Sequence, residues 1–162
     1  MSYLTNPYRY VVAEIIDCTG LTGSTNAADS GRIRASPVTA STSFTVSKIQ
    51  FNASTGSGGN IKFSIYSDNS DLPDALLATT GSHTAVDGVQ DYALVSPYTV
   101  SSGTKYWLSF QNDFTVTMPL GTGSDGARAG VYTNSVAFAS TPDPFATPIN
   151  DTTSGTQICM VS

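Results

Sequence analysis

Charge is scarce in this sequence: Asp, Glu, Lys and Arg make up 12% of its 162 residues. The seven basic side chains are scattered and outnumbered by twelve acidic ones, for a net charge of −5. A direct nucleic-acid binder needs clustered Lys and Arg to displace phosphate counterions, so that class is excluded. No apolar run reaches the roughly 18 residues of a membrane-spanning helix, and no membrane partner is expected. The opening MSYLTNPYRYVVAEIID has no basic stretch followed by an apolar one, so it does not read as a secretory signal. Glu, Lys and Gln, the strong helix formers, are few, which argues against a helical fold. Histidine and tryptophan each occur once. No G-x-S-x-G element accompanies His83, which sits near Asp87 in GSHTAVDG, and hairpin polarity accounts for it without catalysis. The chain is therefore not expected to be an enzyme or to carry a cofactor. The two cysteines, Cys18 and Cys159, lack the C-x-x-C spacing of a metal or redox site. They read as two buried thiols; a bond between them would close a loop of about 140 residues, worth roughly 4 to 5 kcal/mol in the chain-entropy account.

What the chain has in abundance is hydroxyl: Ser and Thr number 44. With Val, Tyr and Phe they suit a pleated, half-buried surface. The clearest pattern lies in residues 61–111. Ile61, Phe63 and Ile65 alternate with Lys62, Ser64 and Tyr66, and Tyr106, Leu108 and Phe110 alternate with Trp107, Ser109 and Gln111. A period of two puts each apolar set on one sheet face and each polar set on the other. Further strands are expected at 8–16, 32–35 (a short edge strand closed by Pro37), 44–51, 76–79, 89–95, 98–100, 114–120 and 156–161. The segment 18–31 reads as loop. Phe44 and Val46 fall out of phase with Ile49 and Phe51, which predicts a bulge near Ser47 or Lys48. The glycines of ASTGSGGN suit a hairpin turn into the strand at 61–66. About eight to nine short strands joined by turn residues predict a single all-β domain over 1–162, an antiparallel, jelly-roll-like β-sandwich. An N-terminal arm (1–7) and a loop-rich, proline-containing excursion (121–155) complete it.

Three groups of residues invite a functional reading. Asp68, Asp71 and Asp74, with Asn69, put oxygen ligands within seven positions, but without the order of a calcium loop. Turn chemistry explains them better, and no metal is expected. Tyr66 and Trp107 lie on the face opposite the apolar set, where aromatic rings could form a platform for sugar, or be covered by a loop, the arm or a neighbouring subunit. Tyr3, Tyr8, Arg9 and Tyr10 form an aromatic arm of the composition favoured at protein interfaces.

The order IYSDNSDLPDALLAT, a His/Thr-containing hairpin, and then PYTVSSGTKYWLSF resembles a recurrent jelly-roll β-sandwich. Such domains occur in carbohydrate-binding modules, bacterial surface proteins and tailed-phage virion proteins. The resemblance covers roughly residues 40–115 and speaks to fold more than to activity. Together with the absent signal and catalytic set, it implies a structural virion protein of a tailed phage. The expected role is a capsid decoration (cement) protein, assembled in the host cytoplasm and displayed on the virion surface. Its partners would be capsid or other virion proteins and further copies of itself, a trimer being a common symmetry for the role. A carbohydrate-binding module or lectin-like adhesin, with a glycan partner, is the alternative.

Overall fold

A computed structural model describes residues 11–12, 24–28, 30–53, 58–121, 130–134, 136–151, 155–156 and 158–162. Among them there is no helix, and fourteen strands follow in order: β1 (Val11–Val12), β2 (Ser24–Ala28), β3 (Arg32–Ala40), β4 (Phe44–Ala53), β5 (Asn60–Asp68), β6 (Pro73–Thr79), β7 (His83–Thr84), β8 (Gly88–Val100), β9 (Lys105–Asn112), β10 (Val116–Gly121), β11 (Gly130–Asn134), β12 (Ile149–Asp151), β13 (Gly155–Thr156) and β14 (Ile158–Val161). Four of these (β1, β7, β12, β13) have only two or three residues, which leaves ten of ordinary length. The chain is an all-β sandwich, as its alternation predicts.

The large sheet runs β12-β11-β3-β9-β5-β6, with β1 added to β3 and β7 to β5. Two three-stranded sheets, β14-β4-β8 and β13-β10-β2, complete the fold. All ladders are antiparallel except the short one between β1 and β3. The core lies between the large sheet and β14-β4-β8. Phe63 and Ile65 from β5 and Leu108 and Phe110 from β9 meet Ile49 and Phe51 from β4, Tyr92 from β8 and Met160 from β14. The rings of Phe51 and Phe63 stand 5.2 Å apart, and Tyr92 is 5.0 Å from Phe63. Burying each such side chain stabilises the fold by about 1.5 to 3 kcal/mol.

The predicted bulge is present. Val46 pairs with Tyr98 and Lys48 with Ala93, so Ser47 alone faces residues 94–97 of β8. Pro97 falls inside that irregular stretch of an edge strand, where a missing N–H is tolerated.

Several expectations are corrected. β2 forms a strand inside the segment read as loop, because residues 24–28 pair with β10; no local periodicity announces such a non-local partner. β3 is neither short nor at an edge. It runs nine residues through Pro37, between β9 on one side and β11 and β1 on the other. On that second side β11 covers residues 32–35 and β1 covers 39–40, so Pro37 falls in the gap between the two ladders. β4 and β5 belong to different sheets, which makes the Gly-rich link a crossover and not a hairpin. Gly59 in that link lies against the Phe114 side chain, which leaves no room for a Cβ. Cys159 is buried on β14 and disulfide-bonded, which overturns the reading of two thiols. Cys18 is the only other cysteine in the sequence.

Candidate functional site

β5 and β9 lie side by side in the large sheet, with Lys62 opposite Gln111, Ser64 opposite Ser109 and Tyr66 opposite Trp107. One sheet face thus carries three stacked rungs: an ammonium with a carboxamide, two hydroxyls, and two aromatic rings. All six side chains are buried. Period-two alternation assigns them correctly to the face turned away from the core, but that face does not meet solvent.

What covers it is the irregular segment 136–148, a strap that leaves β11, crosses the sheet and returns to β12. The crossing can be followed bond by bond. Val136 N donates to Gly31 O at 3.1 Å, just ahead of β3. Gln111 Nε2 on β9 donates to Ala137 O at 2.9 Å, and the Lys62 ammonium on β5 stands 5.0 Å from the centre of the Phe138 ring. Tyr66 Oη donates to Pro142 O at 2.8 Å. At β6, Leu76 N donates to Asp143 Oδ1 at 3.0 Å and Phe145 N to Asp74 O at 2.8 Å. The Phe145 ring meets Tyr66 edge-on at 5.1 Å, in an apolar cluster with Ile33, Ala35, Trp107 and Val131. Strap hydrogen bonds to the β6 backbone also occupy part of a strand edge that would otherwise invite pairing.

The other end of the aromatic rung is closed by the 69–72 turn. Trp107 Nε1 donates to Asp68 Oδ1 at 2.7 Å. Lys105 lies 5.4 Å above the Trp107 ring, pairs with Asp71, and comes within 3.6 Å of Asp68. Asn69 and Leu72 exchange backbone hydrogen bonds at 2.8 and 3.2 Å, and Ser70 and Asp71 take left-handed φ values of 54° and 67°. Asp68 and Asp71 thus serve a turn and a lysine, as turn chemistry predicts. Among the described residues no group of three His, Cys, Asp or Glu is placed to hold a metal.

Electrostatics match the enclosure. Burial, with Asp143 adding to it, pushes the Tyr66 phenol well above its usual range, so it remains a hydrogen-bond donor. Burial lowers Lys62, whose ammonium has the Phe138 ring as its partner and, among the described residues, no carboxylate. Gln111 Oε1 is buried with no hydrogen-bond partner.

Of the two readings of this face, an open aromatic platform or a covered one, the covered one holds: Tyr66 and Trp107 are brought together on one face, and each is 0% exposed. Their physical role is to bind the strap and the turn. Tyr3, Tyr8, Arg9 and Tyr10 lie outside the described residues. His83 sits between the sheets with its ring edge toward Tyr92 at 5.4 Å, its Nε2 buried without a hydrogen-bond partner. Sequence reasoning missed Asp143, Phe138 and Phe145. Their one signal was a pair of phenylalanines in a proline-rich stretch with no strand period, which marks an ordered covering segment only after the face beneath it is known.

No protein-family model matches the chain, and no curated protein matches it in sequence.

Proposed function

We propose that this protein is a structural component of a tailed-phage virion, a capsid decoration (cement) protein that stabilises the shell through protein–protein contacts. The observation that carries the reading is the closure of the Tyr66–Trp107 face by the chain's own strap. It leaves neither ring free to stack on a sugar, while a rigid sandwich with a hydroxyl-rich surface suits packing against other proteins. The resemblance of the IYSD and KYWLSF segments to virion jelly rolls supports the same choice. Such a protein acts by mass action: binding the assembled lattice and not its dissociated parts stabilises the lattice. The test is copurification. The chain should travel with a large particle at fixed stoichiometry and raise that particle's resistance to heat; a chain that never associates with a particle overturns the proposal.

One observation favours the adhesin reading. Cys159 is disulfide-bonded, a state typical of oxidising compartments. A glycan array decides the matter: reproducible saturable binding to one glycan class would put the carbohydrate-binding reading first.

A further inference from the structure

We draw no further inference here: the strongest candidate, the surface patch at residues 94–97 of β8, where Val95 stands 71% exposed opposite the bulge at Ser47, is an unpartnered apolar surface, and nothing in the structure shows what covers it.

Discussion

The two faces of the β5–β9 pair are buried to the same degree by different means. On one face, Phe63, Ile65, Leu108 and Phe110 meet a second sheet, and the stabilisation comes from apolar area and close ring packing. On the other, Lys62, Tyr66 and Gln111 meet an irregular strap, and individual hydrogen bonds hold the cover in place. A sheet face buried against another sheet tolerates few polar atoms, because ladder-forming strands spend their backbone groups on one another. A strap with no ladder of its own has carbonyls to offer, and a polar face can use them. The difference predicts that the two faces fail differently when altered.

The largest effect belongs to the core face. Phe63→Ala should cost about 3 to 5 kcal/mol in chemical denaturation, from lost transfer energy and the cavity left between fixed sheets. A loss below about 1 kcal/mol would mean that Phe63 does not anchor the sandwich. Phe145→Ala should cost less, about 2 to 3 kcal/mol, because an irregular strap relaxes into a cavity more readily than paired strands do. If both substitutions cost the same, the contrast between rigid and adaptable cover fails.

These residues also mark what the sequence discloses. The core face was legible, since period two, the out-of-phase pair that signals the bulge at Ser47, and the apolar character of Phe63 and Phe110 are all local. The strap face was half legible. Alternation placed Tyr66 and Trp107 on it, but no local pattern says what lies over a face when the cover comes from 76 positions away. For the same reason the strand at 24–28 read as loop and the link from β4 to β5 as a hairpin: both depend on partners chosen by the whole sheet order.

Smaller effects sharpen the comparison. Tyr66→Phe leaves Pro142 O without its donor and should cost about 1 kcal/mol. Its pH dependence carries a sign. Burial raises the folded-state pKa of Tyr66 above the ordinary phenol value of about 10, so its contribution is complete below pH 10 and is lost as pH rises above that. The wild-type melting temperature should therefore fall in alkaline buffer more steeply than that of Tyr66→Phe, and parallel curves would show that the phenol is not enclosed. Lys62→Met is expected to hold stability constant within about 0.5 kcal/mol or to raise it, since it removes an ammonium desolvated without a carboxylate partner. A loss above about 2 kcal/mol would reveal an ionic role for Lys62 that its ring contact does not supply.

The account rests on the strap sealing the polar face, and Trp107, the only tryptophan in the chain, reports on that seal directly. Acrylamide quenching of its fluorescence should be weak in the native protein, with blue-shifted emission, and should rise sharply in Phe145→Ala while the fold persists. Native emission at the wavelength of exposed tryptophan, with quenching as strong as in the unfolded chain, would contradict the seal and return Tyr66 and Trp107 to the surface.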